Sequence, residues 1–335
     1  MVNYRYLGNS GLKITELIYG NWITHADQIG DDTAGACVRA ALDNGITTFD
    51  TADVYAGTKA EVVLGNLLKG ENRDQIEVFT KTFWGFGPGV NQKGLSRKAM
   101  MAAIDGSLKR LQMDYVDVWF AHRYDHETPL EETMSTFADA VHAGKAHYVG
   151  VSEWPADKIR QAVALGKEMN IQVIASQPQY NMLYRVIESE VIPASIETGV
   201  GQVVFSPIAQ GLLTGKYLPG QELPAGTRAT DESGKQFMAR HFETEGLLEA
   251  VQQLAPIAKG LDLSMAQLAV AWVLANDNVS GAIIGASRPE QIVENVKASG
   301  VKLPAEALAA IDVALEGFIS SDPQLTITNN PAGRP

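Results

Sequence analysis

The chain alternates between short runs rich in β-branched and aromatic residues and longer segments whose apolar positions recur at helical spacing. Eight runs read as strands: Leu17–Gly20, Thr47–Asp50, Ile76–Lys81, Tyr115–Ala121, Ala146–Val151, Val173–Ser176, Gln202–Ser206 and Gly281–Ile284. Helices are predicted over Asp31–Asp43, Thr58–Leu68, Ser96–Leu111, Pro129–His142, Pro155–Lys167 and Arg185–Thr198, the last to be bent or broken at Pro193. A crossover helix over Glu290–Lys297 and an extra segment at Pro304–Leu315 follow the eighth strand. Strand–helix alternation of this kind, without a long interdomain linker, predicts an α/β fold: a closed (β/α)8 TIM barrel occupying residues 1–335 as one domain. The competitor, a doubly wound sheet, would carry a GxGxxG fingerprint after its first strand, and none stands there. Residues 3–8 and 12–16, around the turn GNSG, read as a β-hairpin placed to plug the barrel bottom.

With a formal charge of -12 and no dense Lys/Arg cluster, no nucleic-acid partner is expected. Net charge does not describe a cleft, so a local basic pocket for a phosphorylated ligand is compatible with it. Cys37 is the only cysteine, which rules out a disulfide within the chain and fits a reducing compartment. Its alanine-rich helical surroundings make it a packing residue. The start MVNYRYLG lacks the features of a signal peptide, and no apolar run is long enough for a bilayer. The expected location is cytoplasmic, without membrane insertion.

In a barrel of this class ligands bind beyond the carboxyl ends of the strands. The stretch TTFDTADVY sets Asp50 at the end of one strand and Tyr55 five positions on. Lys81 closes IEVFTK, and His122 closes YVDVWFAH. An acid, a phenol, an amine and an imidazole thus arrive at one rim. His122, Asp125 and His126 are close in sequence but lack a further ligand of suitable spacing, so no metal centre is predicted. Two long rim loops, Gly85–Gly94 and Gly211–Arg240, have the length and composition of lids or binding loops, or of surface excursions.

DTADVY, the lysine at the third strand end, AHRYD, VGVSEW, QPQYNMLYR, FSPIAQGLLTGKY and GASRPEQIVEN together resemble the aldo-keto reductases. These are NADP(H)-dependent carbonyl reductases built on a (β/α)8 barrel. The resemblance runs from the first hairpin to about residue 300. SPIAQGLLTGKY and SRPEQ look most like the branch of voltage-gated potassium-channel beta subunits and their bacterial reductase relatives. The resemblance implies NADPH-dependent reduction of an aldehyde or ketone to an alcohol. Tyr55 matches the general acid, Lys81 the partner that lowers its pKa, Asp50 the counter-ion of Lys81, and His122 the residue that orients the carbonyl. The chemistry is coherent, because a free phenol titrates near 10 and an adjacent ammonium favours its phenolate.

The cofactor positions are implied in the same way. Ser152 and Gln177 match groups that bind the nicotinamide carboxamide, and Phe205, followed by Ser206, falls where the family places an aromatic ring on the nicotinamide face. Glu153 departs from the asparagine of many members and the arginine of the channel subunits. Gly285 permits close backbone approach, Ser287 and Arg288 match the 2′-phosphate site, Gln291 and Asn295 contact adenosine or its phosphate, and Glu294 orients an amide or ribose group. Trp22, Trp84, Phe86, Tyr124 and Trp154 are candidates for an aromatic rim around a hydrophobic carbonyl compound or a sugar ring. Two other readings stay open: a channel-beta-like redox-sensing or binding subunit, and an alcohol or sugar dehydrogenase running on NADP+. The resemblance also leaves a homo-oligomer open.

Overall fold

The computed structural model of the chain describes residues 2–22, 24–25, 29–85, 87–232 and 234–328. Strands β1 (Tyr4–Tyr6) and β2 (Lys13–Thr15) pair antiparallel as a hairpin, Tyr4 opposite Thr15. Eight further strands close a parallel barrel: β3 (Leu17–Gly20), β4 (Thr48–Asp50), β5 (Glu77–Thr82), β6 (Val116–Ala121), β7 (Ala146–Val151), β8 (Val173–Ser176), β9 (Gly201–Val204) and β10 (Val279–Ile284). They neighbour one another in chain order, and β10 pairs with β3 to complete the ring. Helices α1 (Asp31–Asp43), α2 (Lys59–Leu68), α3 (Arg97–Leu111), α4 (Leu130–His142), α5 (Ala156–Glu168) and α6 (Val191–Thr198) make the crossovers between successive strands from β3 to β9. This is the (β/α)8 TIM barrel with an N-terminal hairpin.

Because strand side chains alternate, each barrel strand feeds two cores. Ile18, Phe79, Val118, Phe120, Ile174 and Val203 fill the barrel interior, with Phe79 and Phe120 tilted at 5.8 Å between ring centroids. Leu7 and Ile14 of the hairpin join that same cluster, fully buried, so the hairpin is the barrel's floor. Gly8 has φ +56°, and a Cβ there would lie 2.4 Å from the Gly199 carbonyl oxygen and 2.7 Å from that of Ile174. Glu16 ties the floor to the end of the last crossover: its carboxylate accepts from Arg5 Nε at 2.7 Å, Ser299 Oγ at 2.6 Å and the Gly300 N–H at 2.7 Å.

Most expected boundaries shift by only one or two residues, and three of the differences have an identifiable physical cause or consequence. The helix expected over Arg185–Thr198 begins only at Val191. Its forerunner is held in turns, with Asn181 Oδ1 accepting from the Leu183 and Tyr184 N–H groups and Arg185 paired to Asp312 at 2.7 Å. Pro193 therefore stands in the first helical turn, where the N–H it lacks would have no intrahelical partner, and it breaks nothing. Strand β9 stops at Val204, because Ser206 takes a left-handed φ of +54° that a ladder does not accept. The last crossover helix is Pro289–Asn295, its expected final turn tightening into a 3₁₀ turn over Val296–Ala298.

The segment around Gly211–Arg240 is packed onto the fold. Leu212, Leu213, Tyr217, Ala229 and Met238 are buried in the main core. The chain then passes through short helices to Met265–Leu274, which Ser264 and Gln267 start with a reciprocal capping box. Among the described residues no single helix is long and apolar enough to cross a membrane.

Candidate active site

Asp50 is the last residue of β4, Lys81 lies one position before the end of β5, and His122 follows β6 directly. Adjacent parallel strands present these ends to one rim. The buried Lys81 ammonium has three N–H bonds and three acceptors: Asp50 Oδ1 at 2.6 Å, the Thr51 carbonyl at 2.7 Å and Tyr55 Oη at 3.1 Å. Tyr55 reaches this point from a tight turn in which Ala56, Gly57 and Thr58 all have positive φ. The other Asp50 oxygen accepts from Gln177 Nε2 at 2.8 Å, so one carboxylate spans from β4 to the end of β8. Ser152 Oγ donates to the Gln177 carbonyl at 2.8 Å. His122 meets the Tyr55 ring edge-on at 5.7 Å between centroids, and its Nδ1 is buried without a partner.

Burial dominates the electrostatics. It drags an ammonium down, yet the Asp50 charge and the hydrogen bonds to Asp50 and Tyr55 outweigh it, and Lys81 is held above the ordinary lysine value. Burial pushes the Asp50 carboxyl up, opposed by Lys81 and by the Gln177 amide. The Tyr55 phenol is likewise raised above 10.0 by burial, with the Lys81 ammonium pulling the other way. The sequence reading had the lysine lowering the phenol's pKa; in the fold, desolvation is the larger effect. His122 is pushed well below 6.5 by burial and then by the Lys81 and Arg123 charges, which makes its imidazole neutral at pH 7.

These groups open onto a cavity of about 990 Å³ that runs along the carboxyl-terminal mouth of the barrel. Asp50, Tyr55, Trp84, His122 and Arg123 line one end; Lys216, Arg228 and Arg288 line it farther along. None of the last three pairs with a carboxylate among the described residues. Desolvation, followed by the Arg228 and Arg288 charges, pulls Lys216 below the ordinary lysine value. A concentration of unneutralised cations in a chain of net charge -12 is a place built for an anion. Gln210 Oε1, buried and unpartnered at the same cavity, is an acceptor in need of a donor from a ligand or water.

The sequence pattern of the aldo/keto reductase family matches residues 16–316. The chain belongs to the aldo/keto reductase family. It is 41% identical over 329 residues to a probable voltage-gated potassium channel subunit beta of Oryza sativa subsp. japonica, covering 97% of this chain and 99% of that one. The corresponding Arabidopsis thaliana protein is 40% identical over 327 residues, covering 96% and 98%. A putative channel beta subunit of Schizosaccharomyces pombe is 41% identical over 323 residues, covering 94% and 93%. Membership places the chain in a family of oxidoreductases.

The aldo/keto reductase barrel brings most of the sequence-selected residues to one place. Ser152, Gln177, Phe205 and Ser206 line the same cavity, Ser152 and Gln177 next to the catalytic end, and Gly285, Ser287, Arg288, Gln291, Glu294 and Asn295, which follow β10 in the chain, line it too. Gln291 Oε1 accepts from the Ser287 N–H at 2.8 Å, holding that loop in shape. Trp22 and Trp84 line the cavity, and Trp22 packs edge-on against Phe237 at 5.0 Å. Tyr124 and Trp154 do not. In the loops that follow β6 and β7 they are buried against each other, edge to face at 4.9 Å between ring centroids, as packing residues of the main core. Phe86 lies outside the described residues. Sequence reasoning passed over Arg123, Lys216 and Arg228. The first two stand inside the matching motifs AHRYD and SPIAQGLLTGKY, which was the available signal. Arg228 comes from the Gly- and Pro-rich loop, whose composition carries no register.

Proposed function

We propose that residues 1–335 act as one barrel that reduces an aldehyde or ketone to an alcohol with NADPH. The observation that carries the reading is the Asp50–Lys81–Tyr55 chain, linked at 2.6 Å and 3.1 Å, opening onto a cavity in which Lys216, Arg228 and Arg288 form no ion pair among the described residues. Ser152, Gln177, Phe205 and Ser206 would hold the nicotinamide end of the cofactor, and Lys216, Arg228, Ser287 and Arg288 its phosphates. Gln291, Glu294 and Asn295 would hold the adenosine. When bound, NADPH supplies the hydride. Tyr55 gives its phenolic proton to the carbonyl oxygen, and Lys81, already donating to Tyr55 Oη, stabilises the phenolate left behind. Asp50 keeps Lys81 charged in a buried setting. Neutral His122 orients the carbonyl oxygen as a hydrogen-bond donor.

Tyr55→Phe tests the assignment, since it deletes the proton and little volume. NADPH titration should give an unchanged dissociation constant, while single-turnover reduction of an aldehyde panel should fall by roughly a hundredfold or more, the upper range of general acid catalysis. Equal single-turnover rates would remove Tyr55 from the mechanism. The relatives' names support a second reading, in which the barrel binds cofactor as a channel-associated subunit. A wild-type chain that binds NADPH yet reduces no carbonyl would favour it.

A further inference from the structure

The catalytic end of the cavity holds a cation that the proposed reduction does not use. Arg123, the residue after His122, lines the cavity beside Tyr55, Trp84 and His122. Its guanidinium carbon lies 5.5 Å from the centre of the Trp84 ring. One terminal nitrogen donates to the His122 carbonyl at 2.5 Å and lies 3.5 Å from Ser152 Oγ, while Nε is buried without a partner. Among the described residues no carboxylate forms an ion pair with it. The two acids at this end are engaged elsewhere: Asp50 accepts from Lys81 and Gln177, and Glu153 Oε1 accepts from the Gln179 N–H. The Arg123 charge is felt by both the Tyr55 phenol and the His122 imidazole, so it stands beside the place where a carbonyl would react.

Building on the reductase reading, we infer that Arg123 selects substrates that carry a carboxylate as well as the carbonyl, such as the semialdehyde of a dicarboxylic acid or a carboxy-substituted aromatic aldehyde. A guanidinium with donors to spare is suited to a carboxylate, because its planar fork matches the two oxygens. A half-buried position makes the interaction stronger than one on the open surface. Trp84, partly exposed beside it, offers a flat face to the rest of such a molecule. The phosphate-sized cations Lys216, Arg228 and Arg288 belong to the farther stretch of the cavity and leave Arg123 for the substrate.

The test compares 4-carboxybenzaldehyde with methyl 4-formylbenzoate, and succinic semialdehyde with butyraldehyde, in wild type and in Arg123→Gln. Wild type should favour the charged member of each pair. The ratio of the two kcat/KM values should fall roughly tenfold to hundredfold in Arg123→Gln, the scale of one charge-assisted hydrogen bond. Arg123→Lys should restore part of the ratio. No preference in wild type, or a ratio that the substitution leaves alone, overturns the inference and leaves Arg123 as a support for the phenol or the His122 loop. Calorimetric titration with benzoate, with and without NADP+, reads the anion site without turnover. Weaker binding to Arg123→Gln supports the inference, and equal binding overturns it. Failure of wild type to reduce any of the four carbonyls counts against the reductase reading itself, with the benzoate result still deciding the role of Arg123.

Discussion

At the scale of single residues, the site depends on charges that are expensive to bury and are therefore tightly matched. Lys81→Met would leave the Asp50 carboxylate facing a methionine, with Gln177 as its remaining partner. A drop in hydride transfer of roughly a hundredfold or more is expected from the lost phenolate stabilisation. The variant should also lose about 3 kcal/mol of stability, the usual consequence of orphaning a buried charge. Single-turnover absorbance at the NADPH band and urea titration separate the two. Because the Tyr55 phenol sits above 10.0, it is protonated across the neutral range. Reduction, which needs that proton, should hold level through neutral pH and decline only on the alkaline side, whereas alcohol oxidation, which needs the phenolate, should rise as pH rises. Initial rates in both directions across one pH series check the pair, and parallel profiles would contradict the role given to Tyr55. At the far end, Arg288→Ala should weaken NADPH roughly tenfold to hundredfold and NADH much less, as binding titrations would show. The four catalytic candidates were legible in the sequence because each stands at or just beyond a strand end. The hydrogen bond from Gln177 to Asp50 was not, since it joins positions 127 apart through the curvature of the ring.

At the scale of elements, the eight strands could be read because parallel barrel strands are apolar on both faces, and their helices because each begins or ends on a recognisable signal. The segment preceding α6 was misread because helical spacing over Arg185–Glu190 says nothing of the competing turn that Asn181 imposes. The hairpin shows how strictly a short element can be specified. Gly8 combines a left-handed φ of +56° with carbonyl oxygens at 2.4 and 2.7 Å from any added Cβ. Gly8→Ala should therefore cost about 2–4 kcal/mol, from the backbone preference plus displacement of the β8 and β9 ends it meets. Urea midpoints would measure that loss, and NADPH affinity measured well below the midpoint should be unchanged.

Across the whole molecule, acid sensitivity has an identifiable source near the mouth. His25 is fully buried, bonded to Tyr19 Oη at 3.0 Å and close to Asn21 Nδ2 at 3.3 Å, and burial pulls its pKa from 6.5 to about 4. The unfolded chain takes up this proton near pH 6.5 and the folded chain only near 4, so the stability it contributes is complete above 6.5 and is lost as pH falls to about 4. The loss should reach about 3 kcal/mol. His25→Gln should remove that slope from a plot of unfolding free energy against pH, and an unchanged slope would place the sensitivity in other groups. Charge, too, is informative only when located: a chain of net -12 reads as a poor host for anions, yet Lys216, Arg228 and Arg288 gather in one cavity. The hairpin floor has a consequence for anyone altering this protein. Gly8 meets Gly199, Gly201 and Ile174, whereas Tyr55 meets Lys81 and His122, with no partner in common. Free-energy changes made at opposite ends of the barrel should then sum, so stabilising changes chosen at the floor can be combined with mouth variants chosen for a new substrate without screening each pairing afresh.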